Sequence, residues 1–279
     1  MITDSLKHDI ENSVQLALQE DVATGDLTAS LVPKSLAKAT VICRESAVIA
    51  GIEWFNEVFK QLVGNTEITW HVKDGDAVTA NTLLCELRGD AQVLLTGERT
   101  ALNYLQSLSG VATITAHYVS LLEGTSTNIL DTRKTIPGLR TAQKYAVKCG
   151  GGMNHRMGLY DAILIKENHI MAAGSIANAV AKARELYPDV QIEVEVENLH
   201  ELQETLQTAA NSVLLDNFSL PDLRTAVELC RGKLKTEASG GIEEDTIRQI
   251  AECGVDFISV GALTKNVKAL DLSMRFELG

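Results

Sequence analysis

The sequence lacks the features that mark several classes of protein. It has no uninterrupted apolar run of about 18 residues, and its start has no charged segment followed by an apolar one, so we expect neither a transmembrane helix nor a secretory signal. It also lacks a dense run of Lys or Arg. The net charge of −12 and the pI near 5.0 argue against the basic stripe of a duplex-binding protein. We therefore expect a cytoplasmic protein that binds neither nucleic acid nor membranes.

The five cysteines are scattered and odd in number. None belongs to a C-x-x-C motif or to a Cys/His pair at metal-ligand spacing, which indicates reduced and mostly buried thiols. Cys149 lies beside a glycine-rich loop and next to Lys148, so a nucleophilic role stays open for it. A small core residue is the simpler interpretation.

Positive charge is concentrated in residues 129–169. From Asp131 to Lys166 the sequence has seven Lys or Arg and two acids, a local balance of +5 in an acidic chain. Fixed cations in a concave site are strengthened by the reduced dielectric, so this stretch predicts a site for a small, highly anionic ligand. Arginine suits planar carboxylates and lysine suits phosphate, so both kinds of anion are expected. The seven cations are Arg133, Lys134, Arg140, Lys144, Lys148, Arg156 and Lys166.

The first part of the chain predicts a small α+β domain. Residues 5–20 carry apolar side chains at helical spacing, with Ser5 available as a cap. An Asp-Gly pair in the segment VKDGDAV predicts a tight turn between strands. Helical spacing returns from Ala91 to about Leu122, with Gly110 as a possible break in the helix. Strands are predicted at 39–50, 66–72 and 82–88, and a short helix at Trp54–Val63.

After Gly124, short apolar runs alternate with amphipathic segments. This alternation predicts βα units, hence parallel strands with right-handed crossovers. The remaining chain is short for eight such units, so a reduced or irregular α/β barrel fits better than a complete one. A doubly wound open sheet is the alternative, but it would concentrate ligand residues near one switch point. The six predicted strands lie at 128–131, 162–165, 191–196, 212–215, 234–238 and 256–260.

Polar or glycine-rich residues follow every one of these strands, at the end where α/β barrels build their active sites. In the segment QIEVEVEN, apolar residues alternate with Glu193, Glu195 and Glu197. Helices cover the outside of a barrel, so these carboxylates should face the lumen and need a partner there. Glu195 or Glu197 together with Asp216 can hold sugar hydroxyls or a hydrated Mg²⁺. A structural layer of ion pairs with nearby lysines is the alternative.

Two glycine-containing turns follow the last two predicted strands. Ser239, Gly240 and Gly241 precede a helix that we predict to begin near Glu243, and the later segment VGALT repeats the arrangement. Backbone amides at a helix N-terminus suit a phosphate, and Ser239 can add a hydroxyl. The pair of turns therefore predicts a phosphate site, with plain turn glycines as the alternative.

Two histidines lie among the cations. His155 and Arg156 follow three glycines, and His169 follows Lys166. An isolated histidine is more often structural than catalytic. The position of these residues near Arg133 and its neighbouring lysine nevertheless predicts contacts with anions.

Taken together, several strings resemble those of the quinolinate phosphoribosyltransferase family, the decarboxylating nicotinate-nucleotide pyrophosphorylases. The combination of DTRKT-x-PG-x-R with GG-x-x-NHR and K-x-NH is not a generic pattern. The similarity covers nearly the full chain, in the family's order. The strings are EDVATGDLTAS, GERTALNYLQSLSGVAT, DTRKTIPGLR, KCGGGMNHRMGLYDAILIKENH, EVEVEN, LLDN, ASGGI and SVGALT.

The resemblance implies an N-terminal α+β sandwich domain of residues 1–110, joined by the C-terminal segment 271–279. It implies an irregular, seven-stranded parallel α/β barrel of residues 111–270 that holds the active site. A homodimer, or a larger assembly of dimers with shared active sites, is also implied. The implied reaction joins quinolinate to phosphoribosyl pyrophosphate with Mg²⁺ as the cofactor. Its products are nicotinate mononucleotide, pyrophosphate and carbon dioxide, a step of de novo NAD biosynthesis.

Roles for individual residues also follow only from the resemblance. From composition alone, we expect Arg99, beside Glu98, to be a solvated surface residue. The resemblance implies instead that Arg99 reaches the site of a partner subunit. Quinolinate would be bound by Arg99, Arg133, His155 and Arg156, and pyrophosphate by Lys134, Lys166 and His169. Thr132 belongs to the implied substrate-binding set with no particular substrate assigned to it. The ribose or Mg²⁺ would meet Glu195 and Asp216, and the 5′-phosphate would meet Ser239, Gly240, Gly241, Val260, Gly261 and Ala262. The catalytic residues would be Lys166, Lys134, Glu195 and Asp216.

Three other functions stay open at this point. A related phosphoribosyltransferase can act on nicotinate or another small anionic base, although a two-carboxylate arginine set disfavours it. Lys166 at a strand end can form a Schiff base, as in an aldolase. A non-catalytic anion-binding protein is disfavoured by the acids that lie opposite the cations.

Overall fold

The computed structural model describes residues 3–278 as a mixed α/β protein. The chain divides into two units. The first runs up to Ala116 and also includes Thr135–Gly151 and the chain from Ala262 onwards, and the second comprises His117–Lys134 and Gly152–Gly261. The domain boundaries implied at residues 110 and 270 stay a prediction. No helix within residues 3–278 is long and apolar enough to cross a membrane.

The first unit begins with a long helix whose N-terminal cap differs from the predicted one. Helix α1 spans Asp4–Asp21, and its cap is Thr3 instead of the predicted Ser5. Thr3 has extended backbone angles and its hydroxyl accepts the N–H of Leu6, whereas Ser5 already lies inside the first turn. The other helices with residues in this unit are α2 (Ile52–Gln61), α3 (Ala91–Leu121), α4 (Arg140–Cys149) and α10 (Ala262–Lys265).

Helix α3 runs without interruption through Gly110, so the predicted break at this residue is wrong. A Cβ atom added to Gly110 would lie 2.1 Å from the carbonyl oxygen of Lys268. The glycine therefore permits a close approach of two backbone segments instead of ending the helix. Such a contact between distant residues leaves no trace in helical periodicity.

Replacing Gly110 with alanine should destabilise the protein by about 1–2 kcal/mol. Alanine gains about 1 kcal/mol of helix propensity over glycine, but overpacking against a backbone oxygen costs about 1–3 kcal/mol and lies at the upper end here. Urea denaturation measures the difference. Asn103→Ala is the control on the same helix, because Asn103 is exposed and its replacement adds no contact with a backbone oxygen. Equal stability of the two variants would contradict this account of Gly110.

The first unit has a four-stranded antiparallel sheet in the order β12-β1-β5-β3. The central strand β1 pairs with β5 on one side and with the last strand of the chain, β12, on the other. The hydrophobic core of the unit includes Val41, Trp54 and Phe55. The strands are β1 (Leu36–Cys43), β3 (Glu67–Trp70), β5 (Thr82–Asp90) and β12 (Leu272–Leu278), with a separate pair β2 (Ala47–Val48) and β4 (Ala77–Val78).

The second unit is built on six parallel strands in the order β6-β11-β10-β9-β8-β7. All six strands predicted from the sequence are present, and the predicted α/β class with parallel pairing is confirmed. The strands are β6 (Asn128–Leu130), β7 (Ile163–Ile165), β8 (Ile192–Val196), β9 (Ser212–Asp216), β10 (Lys235–Ser239) and β11 (Phe257–Ser259). The helices are α5 (Glu167–Ala173), α6 (Ile176–Leu186), α7 (Leu199–Thr205), α8 (Leu220–Cys230) and α9 (Ile247–Ala251).

A short extended segment adds to the β6 edge of this sheet. Met153 forms a parallel bridge with Leu130. Its N–H donates to the carbonyl of Ile129 at 2.8 Å, and its own carbonyl accepts from the N–H of Asp131 at 3.1 Å. The six strands and this bridge give seven extended segments, with β7 at the opposite edge.

Helix α9 begins at Ile247 and not near Glu243. Gly240 and Gly241 have φ angles of +93° and +56°, which lead the chain into a loop. A turn then follows, in which the N–H of Glu243 donates to the Thr246 hydroxyl at 3.1 Å. The turn occupies the residues that the sequence assigned to the first helical turn. Helix α5 is short and was not predicted.

Candidate active site

The side chains of strand β8 alternate between two faces of the sheet. Ile192, Val194 and Val196 are fully buried on one face. Glu193 and Glu195 alternate with them, Glu193 buried and Glu195 partly exposed. Both carboxylates contact a cationic or imidazole group, as the barrel interpretation requires of lumenal acids. Glu197 lies beyond the end of the strand and is exposed.

A cluster of cations and acids lies at the C-terminal ends of β7, β8 and β9. The ammonium group of Lys166 donates to Oε2 of Glu195. Asp216 ends β9, and its pKa is raised because burial and the charge of Glu195 outweigh the opposing charges of Lys166 and Lys134. Asp216 also accepts a hydrogen bond of 2.8 Å from the side-chain amide of its neighbour Asn217. The sequence-predicted residues Lys134, Lys166, Glu195 and Asp216 therefore come together.

Glu195 and Asp216 offer a suitable donor set for Mg²⁺. The two carboxylates are close enough for the charge of one to raise the pKa of the other. Both are partly exposed, so water can complete the coordination shell of a hard cation that keeps much of its hydration. A divalent cation would also offset the repulsion between them. The residues present thus fit the predicted ion.

The loops after β6 and β11 meet at Lys134. Thr132 shapes the first loop, since its hydroxyl accepts the N–H of Lys134 at 3.1 Å. A Cβ atom added to Gly261 would lie 3.0 Å from Cδ of Lys134 and 3.6 Å from the Thr132 hydroxyl. The lysine stem therefore lies across the backbone of Gly261. Val260 holds the second loop to β6, because its N–H donates to the carbonyl of Leu130 at 2.9 Å.

Ser239 ends β10 and is followed by Gly240 and Gly241, but no helix begins directly after them. A Cβ atom on Gly240 would lie 2.2 Å from the side-chain oxygen of Asn217, and the N–H of Asn217 donates to the Ser239 carbonyl at 3.0 Å. Gly240 is thus needed for its positive φ and for the close approach of Asn217. The helix-terminus argument for phosphate binding at this turn is wrong, and the role of the three residues stays a prediction.

His155 is held inside the second unit by three acids. Its backbone N–H donates to Oδ1 of Asp131 at 3.0 Å. Its ring Nε2 lies 2.9 Å from Oε2 of Glu193 and 3.3 Å from Oε2 of Glu237. Burial lowers the pKa of His155 and the hydrogen bonds to the two carboxylates raise it, while Nδ1 keeps its lone pair because it accepts the N–H of Arg156 at 2.8 Å. Burial also raises the pKa of Glu237.

Arg133 and Arg156 lie close enough to repel each other. The pKa of Arg156 is lowered by burial and by the positive charge of Arg133. One end of the Arg156 guanidinium donates to the carbonyl of Ala162 at 3.1 Å. Two neighbouring guanidinium groups suit a ligand with two carboxylates, because each can present paired donors to a planar anion.

The remaining predicted residues have less specific surroundings. His169 is exposed, and its Nδ1 accepts the N–H of Lys166 at 2.9 Å, which satisfies a donor at the start of α5. Arg99 is exposed on α3 in the first unit. Ala262 begins α10. The implied roles of these three residues stay predictions.

Sequence reasoning missed two groups that shape the site. Glu237 lies two residues before Ser239 in β10, so the same period-two alternation that we applied to β8 would have placed both on one face. Asn217 follows β9 and adopts a positive φ of +55°. Its position next to Asp216 was visible, but its contact with Gly240 depends on the sheet order and could not be found from one segment.

The fold and the site together define a class of protein. Cations and carboxylates at the C-terminal ends of parallel strands are typical of α/β enzymes that act on phosphate-bearing substrates. Family models sharpen this class. The N-terminal domain of quinolinate phosphoribosyl transferase matches residues 26–109, and its C-terminal domain matches residues 111–275. The chain belongs to the quinolinate phosphoribosyltransferase family.

Individual relatives agree with the family models. The chain is 44% identical over 261 residues to a probable nicotinate-nucleotide pyrophosphorylase [carboxylating] of Bacillus subtilis, a match that covers 93% of this chain and 90% of that protein. The solved structure of the nicotinate-nucleotide pyrophosphorylase from Francisella tularensis has a TM-score of 0.95 at 50% identity and covers 97% and 96% of the two chains. The NadC structure from Streptococcus pyogenes has a TM-score of 0.95 at 39% identity and covers 99% of each.

Proposed function

We propose that the protein transfers the phosphoribosyl group of phosphoribosyl pyrophosphate to quinolinate and releases carbon dioxide, which gives nicotinate mononucleotide and pyrophosphate. The observation that carries this proposal is the cluster in which Lys166 contacts Glu195 beside Asp216, within the electrostatic reach of Lys134. The curated relatives named nicotinate-nucleotide pyrophosphorylase support the same reaction.

The first chemical step separates pyrophosphate from the ribose. Its departure leaves positive charge at C1 of the sugar and negative charge on the leaving group. Lys166 and Lys134 supply fixed positive charge where the pyrophosphate develops its negative charge, an arrangement that needs no reorganisation during the step. Glu195 and Asp216 supply negative charge beside the ribose.

Mg²⁺ held by Glu195 and Asp216 would supply further neutralisation of the leaving pyrophosphate. The carboxylates themselves stay ionised in this role, which the nearby charges of Lys166 and Lys134 favour for Asp216. The proposal of Mg²⁺ rests on the fit of these two oxygen donors.

The second chemical step removes carbon dioxide from the pyridine ring. Arg133 and Arg156 would hold the two quinolinate carboxylates and aim the ring nitrogen at C1 of the sugar. Once this nitrogen bonds to C1 it carries a positive charge. It can then stabilise the electron pair left on the adjacent carbon as carbon dioxide departs, and this carbon takes up a proton from water to give nicotinate mononucleotide. The substrate itself thus provides the electron sink.

The direct test is to incubate the protein with quinolinate, phosphoribosyl pyrophosphate and Mg²⁺. We expect nicotinate mononucleotide, pyrophosphate and carbon dioxide in equal amounts, measured by chromatography and by carbon dioxide trapping. Nicotinate in place of quinolinate should give little product, because it lacks the second carboxylate. Omitting Mg²⁺ and adding a chelator should suppress the rate. Pyrophosphate without carbon dioxide would contradict the proposed reaction.

Assembly and location are further parts of the proposal. We propose a homodimer, or a larger assembly of dimers, in which Arg99 of one subunit reaches the site of its partner. The exposure of Arg99 on α3 is compatible with such a contact, and sedimentation equilibrium tests the assembly. A cytoplasmic location stays a prediction that cell fractionation tests.

A further inference from the structure

The proposed reaction leaves two buried carboxylates without a task. Glu193 and Glu237 are only 9% and 2% exposed, on strands β8 and β10. Two neighbouring acids in the interior cost free energy unless they bind a partner that the protein needs in a fixed place. The residue that both carboxylates contact therefore indicates what the two acids do.

That partner is His155, and its polar atoms are held from several directions. Nε2 faces both carboxylates at 2.9 and 3.3 Å. The backbone N–H is bound to Asp131, as described above. Nδ1 accepts the backbone N–H of Arg156 at 2.8 Å. Rotation of the ring would break several hydrogen bonds at once, so its orientation is strongly fixed.

The hydrogen-bond directions define what kind of cluster this is. Because Nδ1 accepts the N–H of Arg156, the ring hydrogen resides on Nε2, from which it can be donated to the carboxylates. A metal ion held by His155, Glu193 and Glu237 would need the lone pair of Nε2 instead. The geometry thus describes a hydrogen-bonded support and not a metal centre.

We propose that Glu193 and Glu237 are positioning residues that act through His155 on Arg156. They fix the imidazole, the imidazole fixes the main chain at Arg156, and the guanidinium is then aimed at a carboxylate of the substrate. The bond from Arg156 to the Ala162 carbonyl at 3.1 Å holds the other end of this side chain. This inference rests on the proposed function, because it concerns the residues that hold the proposed quinolinate-binding arginine, Arg156, in place.

The test is the effect of Glu237→Leu on the two substrates separately. We expect the KM for quinolinate to rise roughly tenfold, because loss of a buried charged acceptor loosens the ring. The KM for phosphoribosyl pyrophosphate should change less than about twofold, since Arg156 does not hold that substrate; a tenfold change corresponds to about 1.4 kcal/mol. Glu237→Gln should restore most of the quinolinate affinity, because its amide oxygen can accept from Nε2.

Glu228→Leu is the matched control in the same unit. This acid is exposed on α8 and pairs with Arg231, so its loss should leave both KM values unchanged. An unchanged quinolinate KM in Glu237→Leu overturns the inference, and so does an equal rise of both KM values, which would indicate general loosening. If Glu237→Leu does not fold, Glu193→Asp replaces it, because the shorter side chain withdraws the acceptor at 2.9 Å.

Failure of the proposed function is distinguishable from failure of this inference. Absence of turnover in the wild-type protein contradicts the function. In that case ¹⁵N NMR of the His155 side chain still tests the support. A hydrogen on Nε2 together with an unprotonated Nδ1 in the wild type supports the inference, provided that this arrangement is lost in Glu237→Leu. A hydrogen on Nδ1 in the wild type overturns it.

Discussion

Replacing Lys166 with alanine should lower kcat by about 100- to 1000-fold. Removal of one preorganised group that stabilises developing charge typically has this effect, and Lys166 is the cation that contacts Glu195 at the end of β7. Its loss leaves the carboxylates of Glu195 and Asp216 with less positive charge beside them, just where the proposed pyrophosphate departs. Steady-state kinetics at saturating quinolinate and phosphoribosyl pyrophosphate measure the change.

The same variant should change the pH dependence in a defined direction. The pKa of Asp216 is raised by burial and by Glu195, and Lys166 opposes this shift. Without Lys166 the pKa of Asp216 should rise further. Because the carboxylate is ionised only above its pKa, the acid limb of the kcat/KM profile should move to higher pH.

A matched control separates this effect from simple loss of a lysine. Lys182 is an exposed lysine on α6 that also pairs with a glutamate, Glu185 at 2.9 Å. Lys182→Ala should retain the wild-type kcat. A near-normal kcat in Lys166→Ala would remove Lys166 from the catalytic residues, whatever happens to the pH profile.

The regular part of the fold could be predicted because local pattern determines it. The six strands of the second unit are short apolar runs bounded by polar or glycine-rich segments, and each lies where the sequence placed it. Gly110 and the start of α9 were predicted wrongly because contacts between distant residues decide them. The carbonyl of Lys268 explains Gly110, and the loop through Gly240 delays α9 to Ile247.

The candidate site shows the same division between local and distant information. Lys166, Glu195 and Asp216 could be brought together from the sequence, because parallel strands align their C-terminal ends. The contacts of His155 with Glu193 and Glu237 could not be predicted in this way. They depend on β8 and β10 lying on either side of β9, an order that no single segment of sequence specifies. Composition alone also gave no reason to give Arg99 a role.

Replacing Arg133 with alanine should raise the KM for quinolinate about 100-fold. Removing one partner of a charge-assisted pair costs about 2–5 kcal/mol, and 100-fold corresponds to about 2.7 kcal/mol. Arg133 lies near enough to Arg156 to lower its pKa, so the two guanidinium groups form a pair that a dianion would satisfy. The KM for phosphoribosyl pyrophosphate should change little. Initial rates with each substrate varied in turn measure both values.

Two further variants make this prediction specific to the guanidinium. Arg133→Lys keeps the charge but loses the planar pair of donors, so it should recover only part of the quinolinate affinity. Arg224→Ala removes an exposed arginine from α8 in the same unit and should leave both KM values unchanged. Since Arg133 is exposed, its replacement should also leave the melting temperature nearly unchanged. Unchanged saturation by quinolinate in Arg133→Ala would show that Arg133 does not bind this substrate, and a fully active Arg133→Lys would show that charge alone suffices.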